Sequence, residues 1–333
     1  MSNNRCIHII YSAFAALFLS TLSVVSCSSS GSDAKNTVDT PAETKVELVA
    51  PFDTDTAMAY LKRQVDFGPR VPGSAAHKAC ADWLATTLRQ MGATVSDDTQ
   101  TTRHPVSGAQ IAVRNIFARF NPEATDRILV LAHYDTRPWA DNDPDETNHS
   151  TPIDGANDGA SGVAVALELA RANKLLPAGK GLDILLVDQE DSGNHDNDES
   201  WCIGSRHWAS KLPYSSAQRP AYAVLLDMVG GRDVVFAREF SSENFAQQIN
   251  NKVWVAARKV GHGDRFVNTV GGAINDDHIS LLNAGIPTVD IIETTPEGFN
   301  PTWHTISDNY ENIDPATIGA VGEVMSYLIY NAQ

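Results

Sequence analysis

Short apolar runs, Ile128–Leu131, Ile184–Val187 and Val224–Leu226, recur along this chain, and each is followed at once by histidine or acid: His133, then Asp188, Glu190 and Asp191, then Asp227. A strand buried on both faces reads as such a run, and strands alternating with helical stretches build a largely parallel sheet covered on both sides. Carboxylates and imidazoles gathered at the carboxyl ends of adjacent strands are how an open α/β sheet makes a site. This pattern limits the chain to an α/β fold with its chemistry along one sheet edge.

The remaining elements fill in around it. Phe52–Val65 and Ser74–Met91 read as helices, the second with Ala79, Trp83, Leu84 and Leu88 on one face and Gly92 as its stop. Thr94–Thr102 and Gln110–Phe120 alternate as an antiparallel pair of strands. Arg127–His133 is a strand, followed by a polar loop from Thr136 to Asp154. Next come a helix over Ala160–Leu176, a strand over Leu182–Val187, a helical turn at Ser205–Lys211 and a strand over Tyr222–Met228. Helices over Ser242–Val260 and Asp277–Ala284, a strand over Pro287–Ile292 and a helix over Pro315–Tyr330 complete the chain. No repeat or linker interrupts it after residue 46, so one domain spans 46–333: a mostly parallel mixed sheet flanked by helices on both faces.

The N-terminus is set apart. Arg5 is the only formal charge before Cys27, and Ile7–Val25 is a short apolar stretch broken by Ser and Thr, the form of a secretory signal rather than a membrane span. Val24-Val25-Ser26-Cys27 resembles a bacterial lipobox, which makes 1–26 a removed leader and Cys27 the lipid anchor of an exported, periplasmic protein. Residues 27–45 are polar and small, the composition of a flexible tether. The formal charge of −16 supplies no basic stripe for phosphates, which excludes nucleic acid as a partner. Cys80 and Cys202 remain in the exported chain, and an oxidising compartment would allow them to pair.

Several acids carry candidate chemistry. Asp158 sits in Gly155-Ala156-Asn157-Asp158-Gly159-Ala160-Ser161-Gly162 at the mouth of a helix, where it could be an N-cap or a metal ligand. Glu190 and Asp191 stand side by side beyond a buried strand, where like charges repel unless a cation or proton is shared. A ligand next to a general base is the pattern they fit; Asp188 suits a solvated turn. Asp227 lies between apolar strand residues and needs a metal, a donor or a proton. His133 is met equally by a core hydrogen bond. His304 follows an aromatic loop with Phe299 and Trp303, from which it can close a metal site. Asp276 and Asp277 open a helix, and one of them can serve only as its cap. Asp, Glu and neutral His are ligand types zinc accepts.

In order, these segments (HYD, GAxDxASG, DxED, GSRHWA, LLDMVG, DDHIxLLxxGIP and WHTxxDNxEN) resemble the glutaminyl-peptide cyclotransferases, the glutaminyl cyclases of the zinc aminopeptidase superfamily. The resemblance runs from about Asp53 to the C-terminus. It implies that Asp158, Asp191 and His304 hold one zinc, that Glu190 is the acid/base, and that Asp227 and Asp277 are hydrogen-bonded acids beside it. It places Trp303 and Phe299 on the substrate pocket, and His133 is grouped with them. The animal enzymes carry Glu where Asp191 stands, so the shorter side chain has to approach the metal more closely. The reaction implied is closure of an N-terminal Gln of a peptide onto its own amide carbon with loss of ammonia. The rival within the superfamily is a two-zinc aminopeptidase, with His133 and Asp227 as added ligands and Asp158 as the bridge. A non-catalytic lipoprotein would lack Glu190 or a ligand, and none is missing. His149, His195 and Asn194–Glu199 receive no role.

Overall fold

The computed structural model describes residues 51–295 and 298–331. The leader, the tether and Cys27 lie outside the described residues. The strands are β1 (Thr94–Arg103), β2 (Gln110–Phe120), β3 (Arg127–His133), β4 (Gly181–Val187), β5 (Tyr222–Asp227), β6 (Val235–Arg238), β7 (Phe266–Val270) and β8 (Thr288–Thr294). They make one sheet in the order β1-β2-β4-β3-β5-β8-β6-β7. At its centre β4, β3, β5 and β8 run parallel. β1 and β2 pair antiparallel on one side, as expected, with β2 antiparallel to β4. On the other side β6 is antiparallel to β8 and parallel to β7.

Every residue of β3, β4 and β5 is buried, because both faces of the sheet are covered. The period of two sorts their side chains. Ile128, Val130, Ile184, Leu186, Val224 and Leu226 face a core shared with α1 (Thr54–Val65), α2 (Ala75–Gln90), α3 (Ala160–Leu175), α6 (Gln247–Lys259) and α8 (Pro315–Asn331). Leu129, Leu131, Leu185, Val187, Ala223 and Leu225 face the other way, against Trp208 of α4 (Ile203–Ala209) and Leu281 of α7 (Asp277–Asn283). Asp53 and Ser74 cap α1 and α2 by accepting the N–H of Thr56 and His77.

Three expectations change. The helix expected over Ser242–Val260 is two helices, α5 (Phe240–Phe245) and α6, parted at Ala246, whose φ of −135° and ψ of 30° leave the helical region. Gln247 and Asn250 beyond the break both donate to the Glu243 carboxylate before it, so side chains hold the two helices across a join that no Gly or Pro marks. β6 and β7 went unforeseen: β6 is only four residues long, and β7 is polar and mostly exposed, running into what reads as a glycine-rich loop. Cys80 and Cys202 are both free and buried, the first packed in α2 against the sheet and the second at the head of α4, so the possible disulfide is absent.

The parallel centre has one consequence for chemistry. β3, β4 and β5 all end at the same edge, which brings together His133, the segment Asp188–Asp191 and Asp227.

Candidate metal centre and active site

His133 closes β3 with its Nε2 3.0 Å from Asp158 Oδ1 and 3.2 Å from Asp227 Oδ1, the last residue of β5. Asp158 reaches this place because glycines let the start of α3 press against the strand ends. A Cβ on Gly159 would lie 2.4 Å from the carbonyl oxygen of His133, and one on Gly162 would lie 1.9 Å from that of Leu226. Asp158 is therefore not a helix cap: Gly159 holds the cap position and makes no side-chain capping bond. The loop is fixed from behind by Asp308, whose carboxylate accepts the N–H of Asn157 at 2.7 Å and of Asp158 at 3.1 Å.

The other Asp158 oxygen, Oδ2, lies 3.6 Å from His304 Nε2, which in turn lies 3.1 Å from Asp191 Oδ1. Asp158 thus stands between two triads, His133–Asp158–Asp227 and Asp158–Asp191–His304, each with ligand atoms within 4.8 Å of one another. They differ in how they are satisfied. His133 Nε2 hydrogen-bonds to Asp227 at 3.2 Å. Asp191 is 1 % exposed, yet neither of its carboxylate oxygens accepts a hydrogen bond from any described residue. A bare buried carboxylate is costly unless a cation or proton meets it. Burial pushes the Asp191 carboxyl up to about 7 and the His304 imidazole down to about 3, which leaves His304 in the neutral form that ligates. Two carboxylates and a neutral imidazole around unpartnered oxygens fit a zinc ion with one open position.

Glu190 precedes Asp191 at the end of β4. Asp135 accepts the N–H groups of Glu190 and Asp191 at 3.1 and 3.2 Å and so sets the turn that presents both. The thiol of Cys202 donates to Glu190 Oε1 at 3.3 Å, and the backbone N–H of Cys202 donates to the Glu190 carbonyl at 3.1 Å. Burial holds the Glu190 carboxyl well above its usual range, and repulsion from Asp276, Asp191 and Asp277 adds to it against the pull of His133. A carboxyl raised in this way is a stronger proton acceptor than an ordinary one, as a general base requires. Of the six non-glycine residues with positive φ among the described residues, Gln189, Cys202, Met228 and His304 flank this site, so backbone strain is concentrated where the chemistry is.

A cavity of about 250 Å3 opens over these groups, lined among others by Asp158, Glu190, Asp191, Asp227, Asp276 and His304. Its walls are aromatic. The Trp303 ring stacks on His304 at 3.8 Å, Trp201 lies parallel to His304 at 6.0 Å, and Phe299 packs on Trp303 at 4.5 Å. Gly193 makes room for Trp201, since a Cβ there would fall 2.0 Å from its ring.

The structure brings Asp158, Asp191, His304, Glu190, Asp227, Trp303 and Phe299 to this one cavity. His133 and Asp277 are placed otherwise. His133 is fully buried behind the carboxylates and does not line the cavity, because its ring is drawn to Asp158 and Asp227. Asp276, not Asp277, lines the cavity and clusters with Glu190 and Cys202. Asp276 also caps α7 by accepting the N–H of Asp277 at 2.5 Å, so the capping aspartate is the one beside Glu190, and Asp277 is buried beneath it next to Ser205. Sequence reasoning missed Asp135, Arg137, Trp201 and His195. The acid two residues after His133 and the aromatic beside Cys202 were the signals available. His195 lines the cavity, whereas His149 hydrogen-bonds to the Asp143 carbonyl at 2.8 Å within its own loop.

Comparison with known proteins places the chain among relatives. The model of peptidase family M28 matches residues 115–329. The structure superposes on Bacteroides thetaiotaomicron glutaminyl cyclase bound to N-acetylhistamine with a TM-score of 0.82 and 46 % identity, covering 86 % of this chain and 100 % of that one. Glutaminyl-peptide cyclotransferase of Bothrops jararaca is 27 % identical over 291 residues, 78 % of this chain and 76 % of the relative. Aminopeptidase YwaD of Bacillus subtilis is 29 % identical over 221 residues, 64 % of this chain but only 42 % of the longer relative.

Proposed function

The chain belongs to peptidase family M28, a family of metal-dependent enzymes, and we propose that within it this protein is a zinc-dependent glutaminyl-peptide cyclotransferase. The observation that carries this reading is the aromatic cavity of about 250 Å3 set directly over Asp158, Asp191, His304 and Glu190. It is of a size to hold a glutaminyl side chain folded onto its own amine, with Trp201, Phe299 and Trp303 on its wall.

In the reaction, the neutral α-amine of an N-terminal Gln attacks its side-chain amide carbon. The new C–N bond closes the lactam, the old one breaks, and ammonia leaves. Asp158, Asp191 and His304 would hold a zinc ion, which when bound would supply Lewis acidity toward the amide oxygen. Glu190 takes the proton from the attacking amine and delivers it to the departing nitrogen. Cys202 and Asp276 surround Glu190, and Asp227 lies across the cavity floor. Trp201, Trp303 and Phe299 hold the substrate in its folded-back pose, so proximity replaces a second nucleophile.

One zinc per chain is the stoichiometry this reading requires. It is supported by the contrast between the triads: His133 already hydrogen-bonds to Asp227, whereas neither Asp191 oxygen accepts a hydrogen bond from any described residue. The leader and the Cys27 lipobox support an exported, membrane-tethered enzyme acting on peptides and proteins that begin with Gln.

The test is ammonia release from Gln-initiated dipeptides measured beside hydrolysis of Leu-p-nitroanilide, with zinc counted per chain. Ammonia with one zinc is expected. Leucine release without ammonia, at two zinc per chain, would assign a two-metal aminopeptidase using His133 and Asp227 instead.

A further inference from the structure

Residues 137–143 of the polar loop after β3 have no part in the chemistry above, yet they meet the His304 loop at three points. The Asn142 N–H donates to the His304 carbonyl at 3.1 Å, and Asp143 Oδ2 accepts the Ile306 N–H at 3.0 Å. Between these two backbone contacts, Asp141 Oδ1 faces His304 Nδ1 at 3.6 Å. That imidazole nitrogen is buried and has no hydrogen-bond partner among the described residues. The gap is roughly 0.5 Å longer than an N–H···O hydrogen bond.

Asp141 is itself held. Arg137 donates to it through two nitrogens, Nε to Oδ1 at 2.7 Å and Nη2 to Oδ2 at 2.5 Å. The same guanidinium is 1 % exposed, donates from Nη1 to the Asp191 carbonyl at 3.1 Å, and lies 3.6 Å from Asp191 Oδ1. It also sits over the Trp201 ring at 4.8 Å. One arginine therefore ties the backbone of one ligand, the carboxylate facing another, and a wall of the cavity.

We infer that Arg137 and Asp141 form the outer shell of the metal centre, Asp141 taking the Nδ1–H of His304 so that Nε2 is aimed at the ion. Outer partners of this kind fix the tautomer and direction of a ligating histidine and set how firmly the metal is held. Asp141 is a positioning residue here, acting through His304, and Arg137 keeps it in place. The inference rests on Asp158, Asp191 and His304 being the metal ligands.

The test is zinc affinity of the full metal-free chain, titrated against a chromophoric chelator, so that it reads the site without turnover. Asp141→Ala should weaken zinc roughly 10- to 100-fold. Asp141→Asn keeps an oxygen to accept from Nδ1 and should recover part of that loss, which a general structural defect would not allow. Arg137→Lys, which cannot fork onto Asp141, should also weaken zinc. If Asp141→Ala unfolds, the Asn and Lys variants carry the measurement. Wild-type affinity in both Asp141 variants would overturn the inference. So would a second bound zinc lost on His195→Ala, because Asp141, His195 and His304 also have ligand atoms within 4.8 Å of one another and Asp141 would then be a ligand. A weakened zinc site in an enzyme that releases no ammonia would support this inference while removing the cyclase reading.

Discussion

Glu190→Gln separates the acid/base from everything around it. The amide has the shape of the carboxyl group and keeps an oxygen for the Cys202 thiol, now 3.3 Å from Oε1. The backbone bonds that place residue 190, to Asp135 at 3.1 Å and from Cys202 at 3.1 Å, do not involve the side chain. Asp191 and its empty oxygens are untouched, so zinc should stay. What disappears is the ability to accept the amine proton and return it to ammonia. A positioned general acid/base contributes about 10²- to 10⁴-fold, or about 2.7 to 5.4 kcal/mol of barrier. Glu190 is asked to serve both transfers, which points to the upper half of that range. The assay is ammonia release at saturating Gln dipeptide, beside zinc content per chain and KM. The expected result is kcat lowered by about 10³-fold or more, with zinc retained and KM within a few-fold. A variant that keeps a tenth of wild-type kcat would refute the role given to Glu190. One that loses its zinc would refute the division between ligand and base.

Asp276→Asn should lower kcat severalfold or more, because that side chain faces Glu190 in the cavity, whereas Asp277→Asn should act chiefly on the melting temperature. Equal kinetic loss in the two would return Asp277 to the catalytic group. Trp201→Ala should leave zinc in place and lower kcat/KM by roughly 100-fold, the scale on which a misplaced substrate is penalised; an unchanged kcat/KM would mean that the ring beside His304 only packs. Glu239 gives a pH prediction. Burial opposes its charge, but the His278 imidazole 3.2 Å from Oε2 and hydrogen bonds from Ser241 and Ser242 outweigh that and lower its carboxyl to about 2. A depressed carboxyl contributes stability that is complete above its unfolded value and is lost as pH falls toward the folded one. That window runs from about 4.5 down to about 2. The contribution is up to about 3 kcal/mol. Acid unfolding of Glu239→Gln should therefore show a shallower loss of stability across that window, and an unaltered slope would contradict it.

Much of the site was legible because its parts lie at the ends of buried strands. Ile184–Val187 and Val224–Leu226 could only be interior strands, so the acids directly beyond them had to share one sheet edge. The close approach that Gly159 and Gly162 permit was not read in advance, because only the packing of the helix on the strand ends shows that a Cβ there has no space. The two weak strands were hidden for another reason. β7 buries little beyond Phe266, so its sequence carries no alternation to read.

The amino-acid sequence by itself determined the parallel core, the order of the ligand-bearing segments and the kind of chemistry they can hold, because each depends on local patterning. Only the tertiary structure decided which aspartate of the pair 276–277 faces Glu190, since helix entry angle sets that and not residue type. It alone separated the satisfied triad around His133 from the unpartnered oxygens of Asp191. It alone brought Arg137 and Asp141 to His304, across about half the chain's length in sequence and a few ångströms in space. Contacts of that kind are made by loops whose paths are fixed by the sheet beneath them, and no local pattern records where such a loop will land.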